Sequence, residues 1–264
     1  MPRMPRSRGP AVGGATLFTQ RQRGHSLQAG TDSTAQRARA ADGPGHGGRT
    51  VAAAGAMPEA EAHARLVESR LAILRTRILR EMRSRGWHRL AVVPLTRGAG
   101  GSFVARALAR AIARQPHTRA MLIDLDLAQP SQAGMLGIPG CPPLAEALAA
   151  GRPLDEIATS LADCPNLTVI APARAEPAAA EILQDEALAQ ALALLQAAHP
   201  GSIAILDTAP LIGADDALAA LPLAEAILLV ADGQNGTAAD MTLAERLLKD
   251  MPPVMGVILN KSED

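Results

Sequence analysis

The chain reads as an α/β protein, a doubly wound, mostly parallel sheet with helices on both faces, and three observations lead there. Short apolar runs, each the length of one strand, alternate with stretches of helical periodicity from Leu90 to Asn260. The runs are apolar throughout, as strands covered on both faces are. Apolar residues fill 48% of the 264 positions but aromatic residues only 1%, so the core has to be built from Leu, Ala, Val and Ile.

Residues 1–56 precede this pattern. They carry eight arginines against Asp32 and Asp42, are dense in Gly, Ser, Thr and Gln, and lack apolar periodicity. That composition reads as a disordered basic tail, balanced by an acidic remainder so that the net charge is zero. Two other readings stand beside it. One is an Arg-rich targeting peptide, against which the glycines and the missing amphipathic stripe argue. The other is a start extended upstream of Met57, where Met-Pro-Glu-Ala-Glu-Ala opens an ordered helix. The folded domain is expected over 57–264.

From Pro58 to about Arg83 the sequence is helical: Val67, Leu71, Leu74, Ile78 and Met82 recur at helical spacing, and Gly86 offers a stop. Buried strands are expected at Leu90–Pro94, Met121–Leu125, Leu167–Ala171, Ile203–Asp207, Ala226–Ala231 and Val254–Asn260. Helices are expected between them at Ser102–Arg114, Leu144–Ala150, Gln184–Ala198 and Thr237–Asp250. Strands alternating with helices imply right-handed crossovers. In the first crossover helix Phe103, Val104, Ala107, Leu108, Ala111 and Ile112 form one stripe, and Arg106, Arg110 and Arg114 another that reads as a solvated face.

Several functions are excluded at this level. Cys141 and Cys164 lie outside any C-x-x-C pair, which rules out a disulfide framework and a cysteine zinc site. No apolar stretch approaches the roughly 20 residues of a membrane helix. With Phe18, Trp87 and Phe103 as the only aromatics, no stacking platform exists for single-stranded nucleic acid, and no nucleic-acid partner is expected.

Open parallel sheets bind ligands beyond the carboxyl ends of their strands. After the first sheet strand stands Thr96-Arg97-Gly98-Ala99-Gly100-Gly101-Ser102, running straight into a helix. Close glycines let successive N–H groups converge on an anion, and the helix N-terminus adds its dipole. A plain β–α turn would favour the same residues. Two neighbours strengthen the phosphate-loop reading: the next strand ends in Asp124-Leu125-Asp126, and Ile203–Asp207 ends in Asp207-Thr208-Ala209-Pro210. Carboxylates ending buried strands beside a phosphate loop are how a magnesium ion and an attacking oxygen are held.

These segments, from Trp87 to Val93, the glycine loop, Arg119 to Asp126 and Ala204 to Pro210, together resemble the bacterial tyrosine kinase family of capsule and exopolysaccharide biosynthesis. That family is a branch of the deviant P-loop ATPases related to chromosome-partitioning and septum-site proteins. Leu74-Arg75-Thr76, Asp216-Ala217 and Gly256–Asn260 fit it in order and spacing, and the likeness spans about residues 65–264. The resemblance implies a sheet of the P-loop NTPase type, with ATP and magnesium as cofactors. It implies nucleotide contacts from Gly98, Gly100, Gly101, Ser102 and Asn260, the last where related ATPases read adenine. It implies Ser102, Asp124, Asp126 and Asp207 around the metal, with Asp126 and Asp207 as the catalytic carboxylates. The role implied is regulation of exopolysaccharide synthesis or export, in the cytoplasm at the inner face of the plasma membrane. The partner implied is a membrane-embedded chain-length-determinant protein, with self-association through the 65–80 helix.

The departures are as informative. Gly101 stands at the phosphate-bridging lysine, Leu95 at the first glycine of the loop, Thr96 at the signature lysine of the partitioning ATPases and Ala128 at the arginine of Asp-x-Asp-x-Arg. Ser69, Ala72 and Arg75 stand for Glu-x-x-Arg-x-x-Arg. The sequence holds no tyrosine, so any tyrosine it phosphorylated would belong to another chain. A lost charged phosphate contact costs about 1.5–3 kcal/mol, so ATP and magnesium binding is expected to be weak or lost. Arg97 is the first candidate to supply the missing charge, although its planar fork is no spatial replacement for a lysine. Returning lysine at position 101 is expected to tighten nucleotide binding about tenfold or more without loss of stability. Two competing readings remain: a catalytically dead scaffold that only docks the membrane partner, and a dinucleotide-binding oxidoreductase, since Gly98-Ala99-Gly100-Gly101-Ser102-Phe103 begins like G-x-G-x-x-G. The closing Asn260-Lys261-Ser262-Glu263 also resembles the guanine-reading Asn-Lys-x-Asp.

Overall fold

A computed structural model describes residues 17–20 and 59–262. In chain order the elements are β1 (Leu17–Gln20), α1 (Glu59–Arg85), β2 (Arg89–Pro94), α2 (Gly101–Ala113), β3 (Ala120–Leu125) and α3 (Gln132–Leu136). Then come α4 (Leu144–Ala149), α5 (Leu154–Ile157), β4 (Thr159–Leu161), β5 (Cys164–Ile170), α6 (Ala179–Gln184) and α7 (Glu186–Ala198). The chain closes with β6 (Ile203–Thr208), α8 (Asp216–Ala220), β7 (Ala226–Asp232), α9 (Ala238–Leu247) and β8 (Val254–Asn260). One sheet results, in the order β1-β8-β7-β2-β6-β3-β5-β4, parallel throughout except where β4 pairs antiparallel with β5. This is the expected α/β fold. β4 went unread because three residues with one buried side chain leave no apolar run. Four residues of the segment read as tail form β1, beside β8; the rest of 1–56 lies outside the described residues.

The pleat of β2 divides the core in two. Leu90 and Val92 face one cluster, with Leu74, Ile78 and Met82 of α1 and Val104, Leu108 and Ile112 of α2. Ala91 and Val93 face the other, with Leu144 of α4, Leu188 and Leu192 of α7 and Ala217 of α8. Helices therefore cover both faces, which is why the central strands carry no polar alternation. The stop at Gly86 is real: its φ is 68°, and Trp87 N–H to Met82 C=O (2.9 Å) with Gly86 N–H to Arg83 C=O (3.4 Å) closes the last turn.

The helix expected at Gln184–Ala198 divides, because Asp185 turns extended and accepts from Ala187 N–H at 2.9 Å, capping α7 after α6 has ended. α9 starts at a capping box between Thr237 and Asp240. Two arginines of the stripe are ion-paired, Arg110 with Asp163 at 2.7 Å and Arg114 with Glu68 of α1, while Arg106 lies over the Phe103 ring with Nη1 buried and without a hydrogen-bond partner. Among the described residues no helix is long and apolar enough to cross a membrane.

Candidate phosphate-loop site

The loop between β2 and α2 opens at the carboxyl edge of the sheet, with β6 on one side of β2 and β7 on the other. Leu95, in place of the loop's first glycine, is 1% exposed and belongs to the core, where its N–H donates to Val230 C=O at 2.8 Å. Gly98 and Gly100 take φ of 83° and 92°, a region that disfavours any side chain. α2 then starts at Gly101 with no side-chain cap. The first N–H groups of α2 have no acceptor within the helix and face the loop. Of the five residues expected to contact nucleotide, Gly98, Gly100, Gly101 and Ser102 are thus brought together around one helix N-terminus.

Asn260 has a different immediate task. It is fully buried at the end of β8, and its Nδ2 donates to Ala99 C=O at 2.9 Å. A Cβ on Gly100 would fall 2.2 Å from that nitrogen. Lys261, at φ 61°, donates from Nζ to Gly98 C=O at 2.6 Å and to Asp232 Oδ2 at 3.1 Å. The end of β8 therefore pins the loop from behind. Asn260 Oδ1, and Ser262 Oγ just beyond it, are buried and without a hydrogen-bond partner. Burial pushes Asp232 up. The Gln234 N–H, the Asn235 amide and N–H, and the Lys261 ammonium outweigh it and bring its pKa to about 2.

The carboxylates lie on the opposite flank. Asp124 sits in register with Asp207 across β3 and β6. Its Oδ2 accepts from the N–H groups of Ser131 (2.8 Å) and Gln132 (2.9 Å), and its Oδ1 from that of Asp126 (3.2 Å). Both oxygens are thus committed to shaping the turn after β3. Asp126, 4% exposed, is held by Arg97 at 2.6 Å. Asp207 is fully buried and accepts at Oδ2 from Gln132 Nε2 at 2.7 Å, while the same amide donates to Ser102 C=O at 2.9 Å. Burial raises Asp124 to about 6, against its three backbone hydrogen bonds. Burial and then the charge of Asp124 raise Asp207 to about 8, with Gln132 and Ser102 pulling the other way. Asp216, at the start of α8, is also raised, first by burial and then by Asp215 and Asp126.

Magnesium prefers one or two carboxylates plus phosphate and water. Asp126 Oδ1 and Asp207 Oδ1 are buried and make no hydrogen bond of normal geometry, so with Ser102 they fit such an ion. Asp124 is the most heavily engaged of the three carboxylates, since both of its oxygens already accept from backbone N–H groups. Among the described residues no group of three or more His, Cys, Asp or Glu could hold a metal.

The lysine position is closed. A Cβ on Gly101 would lie 2.7–2.9 Å from Cδ, Cγ and Cβ of Pro94, closer than real Cβ contacts come. The expectation that lysine could be returned at 101 without loss of stability is therefore corrected: Pro94 occupies its space. Arg97, the first candidate for the missing charge, is engaged with Asp126 at 2.6 Å. Sequence reading missed Gln132 and Pro94. Neither an uncharged amide beyond the aspartates nor a proline ending a strand carries a chemical signal by itself. A cavity of about 350 Å³ lies away from this site, at the opposite edge of the sheet between Arg119, Asn166 and the His199–Asp155 pair.

No family model matches the chain, and no curated protein matches it. Solved structures do. The kinase domain of Escherichia coli tyrosine kinase ETK is 24% identical, with 74% of this chain and 75% of that one covered at a TM-score of 0.67. The VpsO kinase domain is 20% identical over 76% of this chain and 98% of that one, at 0.65. The septum-site-determining protein MinD from Pyrococcus horikoshii, complexed with Mg-ADP, is 18% identical over 66% and 70%, at 0.54. The neighbours are thus bacterial tyrosine kinase domains and P-loop ATPases, and the fold is theirs.

Proposed function

We propose that the chain is a kinase-like P-loop domain that binds nucleotide weakly and regulates exopolysaccharide or capsular polysaccharide synthesis or export. The observation that supports it most is the glycine loop opening onto α2 beside two buried, half-unsatisfied carboxylates, with the lysine position filled by Pro94. A backbone nest and helix dipole can hold a phosphate without a lysine. They do not supply the mobile charge that a phosphoryl transition state needs. In this reading Gly98, Gly100, Gly101 and Ser102 hold ATP, Ser102, Asp126 and Asp207 hold magnesium, and Asp126 and Asp207 are what remains of the catalytic pair. Turnover is weak or absent.

The domain would then act through its nucleotide state on a membrane-embedded chain-length-determinant protein, from the cytoplasmic side of the plasma membrane. Self-association would run through the 65–80 helix, where Leu66 and Ile73 are each 48% exposed one heptad apart. Calorimetric titration of ATP with magnesium, followed by phosphate release, tests the reading. Binding in the high micromolar range, about 6 kcal/mol or less, with little hydrolysis is expected. Absence of any nucleotide binding would leave the docking scaffold, and saturable NAD binding without ATP binding would favour an oxidoreductase.

A further inference from the structure

We infer that Arg106 of α2 is the cation that meets the nucleotide's phosphates, in place of the lysine that position 101 lacks. The inference rests on the nucleotide-binding reading above and names the charge which that site uses. Arg106 stands one helical turn after Ser102, so the two side chains share a face of α2. Side chains on a helix lean toward its N-terminus. Arg106 does so: its guanidinium lies 5.9 Å from the centre of the Phe103 ring, back toward the glycine loop.

The polar groups around it are incomplete. Arg106 Nη1 is buried without a hydrogen-bond partner, and on the same flank Asp207 Oδ1, Asp126 Oδ1 and Gln132 Oε1 are buried without one. The Ser102 hydroxyl lies against Asp207, and Gln132 ties Asp207 to Ser102 C=O, so these groups gather beside the first turn of α2. Burial and then Arg110 hold the Arg106 guanidinium below its ordinary pKa, and Asp207 opposes them across this space. Yet Arg106 and Asp207 form no ion pair. A buried donor and buried acceptors thus stay open together, a cost that the right ligand removes.

The other basic groups near the loop already have partners. Arg97 is held by Asp126 at 2.6 Å, Lys261 by Gly98 C=O and Asp232, and Arg110 by Asp163. Phosphate in the nest at the start of α2 brings oxygens that can accept from Arg106, while magnesium suits the open oxygens of Asp207 and Asp126. One ligand therefore answers both the donor and the acceptors. Arginine is permanently charged, and its planar fork suits phosphate oxygens. It approaches from the Asp207 side and not through position 101, so Pro94 is no obstacle to it.

The test is calorimetric titration of the full chain with ATP and magnesium, in the wild type, Arg106→Gln, Arg106→Met, Arg106→Lys and Arg110→Gln. Arg106→Gln should weaken binding about tenfold or more, the effect of one charged phosphate contact. Arg106→Lys should recover part of that loss. Arg106→Met keeps an apolar stem against Phe103 without the charge, so it should match Arg106→Gln and replaces it if the glutamine variant does not fold. Arg110→Gln removes a charge from the same stripe one turn further from the loop, and it should bind as the wild type does. In urea unfolding, ATP with magnesium should raise the midpoint of the wild type and raise that of Arg106→Gln less. Unchanged binding by a folded Arg106→Gln or Arg106→Met overturns the inference and leaves the nucleotide reading standing. An equal loss in Arg110→Gln does the same, since it would reduce the effect to the net charge of α2. No binding by the wild type up to millimolar concentration overturns both.

Discussion

Pro94 and Gly101 act as one unit. Adding a side chain at 101 alone forces a Cβ against three ring carbons at 2.7–2.9 Å. Gly101→Lys should therefore destabilise the protein by about 1–3 kcal/mol, as overpacking does, and the loss should largely vanish in the Pro94→Gly background. Urea unfolding of the three variants measures this, and an unchanged midpoint for Gly101→Lys would contradict the contact. Asp207 offers a second prediction. With its folded pKa raised to about 8 by burial, the folded state binds more protons than the unfolded one from about pH 4 upward. Its contribution to stability is whole below the unfolded carboxylate value and is lost as pH rises toward 8. Asp207→Asn keeps an acceptor for Gln132 and cannot ionise. In metal-free buffer the variant's Tm should gain on the wild type between pH 5 and pH 8. A constant difference across that range would mean Asp207 is not protonated in the fold.

At the scale of elements, α1 is fastened to the domain by one face. Leu74, Ile78, Leu79 and Met82 are buried beneath it, and Arg75 Nη1 reaches Ala111 C=O on α2 at 3.3 Å. Met82 is fully buried, so Met82→Ala should cost about 2–5 kcal/mol through lost burial and the cavity left behind. Leu66→Ser with Ile73→Ser, on the outer face, should leave stability within about 0.5 kcal/mol and lower any self-association. Denaturant unfolding and sedimentation velocity separate the two effects. A stable monomer both before and after the outer-face changes would remove the 65–80 helix as an association surface.

For the whole molecule, the two core clusters, among the described residues, run from Leu74 to Ile258. Deleting residues 1–56 removes β1 from the edge of the sheet beside β8. The shortened chain should unfold in one cooperative transition, with stability within about 0.5 kcal/mol of the full chain. A clear fall in Tm would show that the tail contributes packing, with β1 the first place to look.

The sequence by itself determined the sheet and its coverings. Fully apolar strands such as Leu90–Val93 can only be buried on both faces, and helical periodicity between them leaves few other topologies. It also determined where chemistry gathers, since glycines and aspartates end those strands. Only the tertiary structure decided what each of these groups is free to do. Asp124 and Asp207 read alike as strand-terminal acids, yet one has both oxygens taken by backbone N–H groups and the other keeps one empty. The missing lysine was visible as Gly101, but not that Pro94 had filled its place. Asn260 and Lys261, more than 150 positions from the loop they hold, were named in the sequence without their contacts. The physical reason is the same in each case. Backbone periodicity is local and survives in the sequence, whereas hydrogen-bond saturation and side-chain clearance belong to pairs of residues that only folding brings together.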